Sequence, residues 1–261
     1  MSYVIEVDNL TKTFGRKAGW LSPASTRVQA VKGISLHLST GETLAVVGES
    51  GSGKSTLARM LVGLEMPTSG SIKLMGEAMH QHRQRGGKAF GQMIQYVFQD
   101  PVASLNPRKT IAATLDVPLS HLCGYPAALR KSRMLELMEA VQMPADALSG
   151  YPHEFSGGQA QRLAIARALA AEARILVLDE PVSALDVSVQ AQVLLLLDRL
   201  KQQFALSYLF ISHDLAVVES IADRVAVMYR GDLVECADTD ALFHAPQHSY
   251  TQSLLASAPR L

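Results

Sequence analysis

Apolar positions in the middle of this chain come in unbroken blocks. Residues 43–48 read TLAVVG, a run without polar alternation that suits a strand buried on both faces. A glycine-rich turn follows, then KSTLARMLVGL (54–64), whose apolar residues recur at helical spacing. RILVLDE (174–180) and SYLFISHD (207–214) repeat the buried-strand pattern with room between them for a crossover helix, as parallel βαβ units require. The N-terminal segments VIEVDNLTKTF (4–14) and VKGISLHL (31–38) instead alternate, as strands of an antiparallel layer do, and GRKAGWLSPAST (15–26) between them reads as a loop.

From about 102 to 155 the strand signal stops. PAALRKSRMLELMEAV (126–141) places Leu129, Met134, Leu137, Met138 and Val141 near one helical face, bounded by Pro126 and Pro144. The pattern predicts a parallel α/β core, an N-terminal antiparallel β-layer and an inserted helical segment.

Composition narrows the possibilities. The 261 residues, 48% of them hydrophobic, can fill a substantial core. Lys plus Arg and Asp plus Glu balance at 24 each, so no global positive field draws the chain to nucleic acid. The longest apolar runs, such as VLLLL (193–197), are far short of the roughly 18 residues a membrane span needs. The N-terminus lacks the basic start and apolar block of a secretion signal, and cytoplasmic residence is the expectation. Cys123 and Cys236 have no metal-type spacing and are expected as free thiols.

The chemistry begins at GESGSGKST, residues Gly48, Glu49, Ser50, Gly51, Ser52, Gly53, Lys54, Ser55 and Thr56. The glycines let successive N–H groups point inward around a phosphate at the start of a helix whose dipole favours an anion. Lys54 brings a mobile charge, and the Ser55 hydroxyl is the expected Mg²⁺ ligand; the bland alternative is an ordinary glycine turn. Asp179 and Glu180 end a buried strand, where ligands of parallel sheets bind. Asp179 suits Mg²⁺, and Glu180 suits the proton of an attacking water. Alternatively the pair caps the next helix. His213 also follows an apolar strand and could donate to a γ-phosphate. Gln99 in YVFQDP could touch both Mg²⁺ and water, or could simply end its strand.

A second glycine loop, FSGGQAQR (155–162), opens QAQRLAIARAL, with apolar residues at helical spacing. Ser156 is a good N-cap, and Gly157 and Gly158 allow close approach to an anion. Without further information, a simple helix cap satisfies the same residues. Two histidine pairs, His80 with His82 and His244 with His248, are read as surface residues rather than metal ligands, the first pair in an exposed polar loop.

The phosphate loop, VFQDP, FSGGQ, ILVLDEP, SALD and ISHD occur in the order and approximate spacing of the ATP-binding subunits of ABC transporters, a resemblance that covers nearly the whole chain. It implies a P-loop NTPase fold, with a RecA-like core, an antiparallel β-layer and a helical subdomain. The implied layout is one nucleotide-binding domain over 1–261: an ATP-binding core from 1–101 and 156–232, a helical subdomain at 102–155 and a short C-terminal segment at 233–261. The resemblance makes ATP and Mg²⁺ the ligands, with Ser55, Gln99 and Asp179 toward the metal. It assigns catalysis to Glu180, His213 and Gln99, and adenine stacking to Phe14. Ser156, Gly157, Gly158 and Gln159 are expected to face the γ-phosphate held by a second ATPase subunit in a head-to-tail dimer, with Asp186 of SALD joining the two sites. Phe155 stands where the family usually has leucine.

FQDPVASLNPR (98–108) and the tail HAPQHSYTQSLLASAP (244–259) are similar to the peptide and nickel uptake group, and TKTFGRKAGW (11–20) to its members linked with antimicrobial-peptide sensitivity. The implied partners are two transmembrane permease subunits and an extracytoplasmic substrate-binding protein, at the cytoplasmic face of the membrane. Peptide cargo is expected, with nickel or a metal chelate as the alternative. A nucleic-acid or ribosome-directed ATPase is the competing class; the neutral charge and the absence of long coiled-coil insertions oppose it. No cysteine set follows the tail, so no iron–sulfur cluster is expected.

Overall fold

The computed structural model describes residues 2–15 and 27–257. These fall into two compact units, Met1–Met79 with Ile211–Leu261, and His80–Phe210. The 16–26 part of the expected loop, and with it much of TKTFGRKAGW, lies outside the described residues.

In the first unit, β1 (Tyr3–Phe14) pairs antiparallel with β2 (Val28–Ser39) and β4 (Ser69–Leu74), and β5 (Glu77–Ala78) extends this layer in the order β2-β1-β4-β5. The alternation read in the sequence becomes a burial pattern: Ile5, Val7 and Leu10 of β1, and Ile34, Leu36 and Leu38 of β2, face the core. Between β2 and β4 come β3 (Thr43–Val47), buried at every position, and α1 (Lys54–Leu61).

In the second unit, α2 (Met79–Gln84) and α3 (Gly87–Gly91) precede β6 (Ile94–Val97). The helical stretch holds α4 (Pro101–Ser104), α5 (Ile111–Val117) and α6 (Ala127–Ala140). It leads into α7 (Gly157–Leu169), β7 (Ile175–Asp179), α8 (Val187–Phe204) and β8 (Ser207–Ile211). β6 and β7 are parallel, Val97 opposite Leu178, and β8 neighbours β7. β7 and β8 are wholly buried, as continuous apolar runs demand.

The chain completes the first unit with α9 (Leu215–Ile221), β9 (Arg224–Tyr229), β10 (Asp232–Asp238), α10 (Thr239–His244) and α11 (Ser249–Ser257). β9 runs parallel to β3, and β10 antiparallel to β9. The parallel pairs and the antiparallel layer match the fold predicted from the sequence.

Two local expectations are corrected. Leu129 is 52% exposed, while Met134, Leu137, Met138 and Val141 are buried. Leu129 precedes Met134 by five residues, about 140° round the helix at 3.6 residues per turn, so it leaves the apolar stripe. His80 and His82 lie on α2 rather than in a loop, and His82 is buried at 1% exposure. Both cysteines are free thiols.

Candidate functional site

The loop between β3 and α1 is held by backbone contacts only glycine allows. Gly48 has φ +143° and Gly53 has φ +105°. A Cβ at Gly48 would collide with the Met228 carbonyl oxygen, and one at Gly53 with that of Ala30. Ser52 N–H donates to Glu49 O at 3.1 Å, and Gly231 N–H to Ser52 O at 3.0 Å, closing the loop against the start of β10. Lys54 is buried, and its ammonium donates to Gly48 O (2.7 Å) and Glu49 O (2.9 Å) inside the loop. Helix α1 has no side-chain N-cap and no acid in its first turn, so its positive end is not neutralised from within the helix. Ser55 and Thr56 stand half-buried in that turn, whereas Glu49, Ser50 and Gly51 are exposed.

Ser212 N–H donates to Val46 O at 3.3 Å, which brings His213 out beside the end of β3. His213 is exposed, just ahead of Asp214, the N-cap of α9. Phe14 ends β1 at 40% exposure. The Lys12 ammonium sits 4.9 Å from its ring centroid and is tied to Glu65 (2.9 Å) and to Met66 O (2.8 Å).

The second unit gathers the acidic group. Asp179, 6% exposed, accepts a short hydrogen bond from the Tyr96 hydroxyl. Glu180 takes φ +49°, a conformation uncommon outside glycine, and Ser183 N–H and Oγ both donate to its carbonyl. Gln99 Nε2 donates to Glu180 Oε2 at 2.9 Å, joining two residues 81 positions apart. Neither carboxylate caps the next helix, because Asp186 does: its Oδ1 accepts from Val189 N–H (3.0 Å) and the Ser188 hydroxyl (2.7 Å). The Ser188 hydroxyl and the Val189 amide hold the Asp186 carboxyl below its ordinary range.

Ser156 caps α7 through a reciprocal box: Gln159 N–H donates to Ser156 Oγ (3.4 Å), and Ser156 N–H to Gln159 Oε1 (3.0 Å). Accepting from Gln159 leaves the Ser156 hydroxyl proton to be donated outward. A Cβ at Gly157 would press on Leu185 at 3.2 Å, and one at Gly158 would strike Val189. The first turn of α7 therefore packs on the segment around Asp186. Phe155 closes on Gly150, whose hypothetical Cβ would lie 2.7 Å from its ring edge.

The expected site residues thus fall into two sets. Gly48 to Thr56, Phe14 and His213 belong to the first unit, while Gln99, Asp179, Glu180, Asp186 and Ser156 to Gln159 belong to the second. Tyr96 and Lys12 were missed from sequence. Each meets a partner far along the chain, Asp179 and Glu65 respectively, and no local pattern pointed to either. Among the described residues no group of three or more His, Cys, Asp or Glu could hold a metal ion, and no helix is long and apolar enough to cross a membrane.

A phosphate loop at a helix start, a buried strand-end acid and a glycine-opened helix define an ATP-binding cassette. The ABC transporter family profile matches residues 31–183, and the chain belongs to that family as an ATPase subunit. It is 47% identical over 258 residues, 99% of this chain and 77% of the relative, to the dipeptide transport ATP-binding protein DppF of Escherichia coli (strain K12). It is 45% identical over 257 residues, 98% of this chain and 78% of the relative, to the oligopeptide transport ATP-binding protein AppF of Bacillus subtilis (strain 168). Among solved structures, CbiO1 from Clostridium perfringens, part of the ABC transporter complex CbiONQ, superposes with a TM-score of 0.79 at 25% identity, covering 94% of this chain and 92% of that one. The dimeric bacterial cassette MJ0796 superposes with a TM-score of 0.77 at 28% identity, covering 90% and 98%.

Proposed function

We propose that this ATPase subunit powers uptake of dipeptides or oligopeptides through two transmembrane permease subunits, fed by an extracytoplasmic substrate-binding protein, and that it works peripherally at the cytoplasmic face of the membrane. The observation that carries the reading is 47% identity across 99% of the chain to a dipeptide transport ATP-binding protein.

Residue roles follow from the chemistry described. The loop from Gly48 to Thr56 cradles the phosphates, Lys54, held on the Gly48 carbonyl, brings its charge to the phosphate oxygens, and Phe14 supplies a face for the base. Ser55, Gln99 and Asp179 are assigned to Mg²⁺. One carboxylate and two neutral oxygen donors suit that ion, which is held by one or two carboxylates together with phosphate oxygens and waters. When bound it neutralises charge on the phosphates. Glu180 accepts the proton of the attacking water, the Gln99 amide keeps its carboxylate aimed, and His213 donates a hydrogen bond to the γ-phosphate.

Ser156, Gly157, Gly158 and Gln159 would serve the γ-phosphate on a second subunit's loop, same or related, in a head-to-tail dimer, with Asp186 bridging the pair. The relative MJ0796, solved as a dimer, supports a two-cassette arrangement. ATP that touches both halves favours closure, and loss of the γ-phosphate removes that differential affinity. The helical stretch 102–155 would receive the permease's cytoplasmic helix, leaving 1–101 with 156–232 as the ATP-binding core and 233–261 as a C-terminal appendage. The test is reconstitution with a pair of peptide-transporter permease subunits in proteoliposomes. ATP hydrolysis should rise when peptide-loaded binding protein is added. Stimulation by nickel-loaded protein alone would redirect the cargo, and salt-sensitive nucleic-acid binding without membrane partners would overturn the reading.

A further inference from the structure

The tail motif HSYTQSLL has no part in the chemistry assigned above, yet each of its main residues is engaged. Glu235 on β10 accepts Gln247 N–H at 2.8 Å and His248 N–H at 3.0 Å, clamping the entry to α11. His248 Nδ1 in turn accepts Tyr250 N–H at 3.1 Å. Thr251 is fully buried, and Tyr250, Leu254 and Leu255 pack on the cluster containing Val47, Val218 and Val227. The Tyr250 ring lies 4.1 Å from that of Tyr229.

This packing fixes the Tyr250 hydroxyl, which accepts the Glu49 N–H at 3.2 Å. Glu49 is the second residue of the phosphate loop, so the peptide joining Gly48 and Glu49 is held at both poles. Its N–H reaches outward to Tyr250, and its carbonyl, Gly48 O, receives the Lys54 ammonium at 2.7 Å. Hydrogen bonds at the two ends of one amide polarise each other. Burial raises the Tyr250 pKa, so the phenol keeps its proton throughout the neutral range.

We infer that Tyr250 is a positioning residue of the phosphate loop: it fixes the plane of the Gly48–Glu49 peptide and with it the carbonyl on which Lys54 rests, making triphosphate affinity depend on the docking of α11. The inference rests on the reading of this loop as the nucleotide site.

Tyr250→Phe removes the hydroxyl and keeps the ring, its burial and its contact with Tyr229. Binding of Mg²⁺-ATP and of inorganic tripolyphosphate to the full-length protein is measured, along with KM and kcat for ATP. Loss of one hydrogen bond should raise both dissociation constants by about three- to tenfold and raise KM with little change in kcat. Wild-type affinity for both ligands, whatever happens to Tm, would make Tyr250 a packing residue only. Weakened ATP binding with unchanged tripolyphosphate binding would also overturn the inference, since the effect would then lie with the base. Lys54→Ala is the separate control: retained tripolyphosphate binding there would refute the loop itself as the phosphate site, independently of Tyr250.

Discussion

Replacing Glu180 by glutamine isolates basicity from geometry. The carboxylate accepts from Gln99 Nε2 at 2.9 Å, and an amide oxygen in its place can accept the same bond. The backbone should hold as well, because Ser183 N–H (3.3 Å) and Oγ (3.1 Å) grip the Glu180 carbonyl, and glutamine meets the φ of +49° no differently from glutamate. What disappears is the ability to take a proton. Positioned general bases contribute about 10²- to 10⁴-fold, or about 2.7–5.5 kcal/mol on the barrier. The substitution also removes a negative charge from the assigned triphosphate site, so ATP affinity should stay equal or rise slightly. Single-turnover hydrolysis, equilibrium ATP binding and light scattering, run on one preparation, separate these effects. The expected outcome is turnover slowed at least a hundredfold, with ATP bound and dimers accumulating. Wild-type turnover would remove Glu180 from the role of base, and lost ATP binding would show that the carboxylate is structural.

Ser156→Arg should leave ATP binding at Lys54 intact but block ATP-driven dimerisation in size-exclusion chromatography; unaltered dimerisation would return Ser156 to being a helix cap alone. Gly48→Ala forces a side chain into a φ of +143° and against the Met228 carbonyl. A loss of about 2–4 kcal/mol in urea unfolding and weakened ATP binding should follow, and a variant within about 0.5 kcal/mol of wild type would disprove the tight loop packing. Burial pushes the Glu235 carboxyl upward but is outweighed by the Gln247 and His248 amides that donate to it, and the carboxyl is held below its ordinary range. A depressed folded pKa means stabilisation that is complete above the unfolded value and lost as pH falls through the folded one. Glu235→Gln should therefore lower the urea midpoint at pH 7 and flatten its acid dependence; parallel acid profiles for variant and wild type would contradict this.

The strands that carry the site could be read directly. TLAVV, ILVLD and SYLFI are apolar at nearly every position because they are buried on both faces, and burial of that kind leaves no alternation to misread. The Ser156 cap was equally legible, since a capping box needs only residues three apart. Leu129 and His82 were misjudged because local hydropathy says little about which turn of a helix meets the core. The Gln99–Glu180 and Tyr250–Glu49 bonds span 81 and 201 positions, and no local pattern encodes such partners. The positive φ at Glu180 was hidden as well, because glutamate gives none of the signals of glycine.

Gly157 and Gly158 leave no side chain between the start of α7 and the Leu185–Val189 stretch. The two helix starts are therefore in direct contact, and moving Ser156 or Asp186 alone would open a gap between them that close packing opposes. Val189, which carries no reactive group, fills the space against Gly158, so trimming it to alanine should leave a gap that loosens the contact between the two helix starts without removing any hydrogen-bonding group.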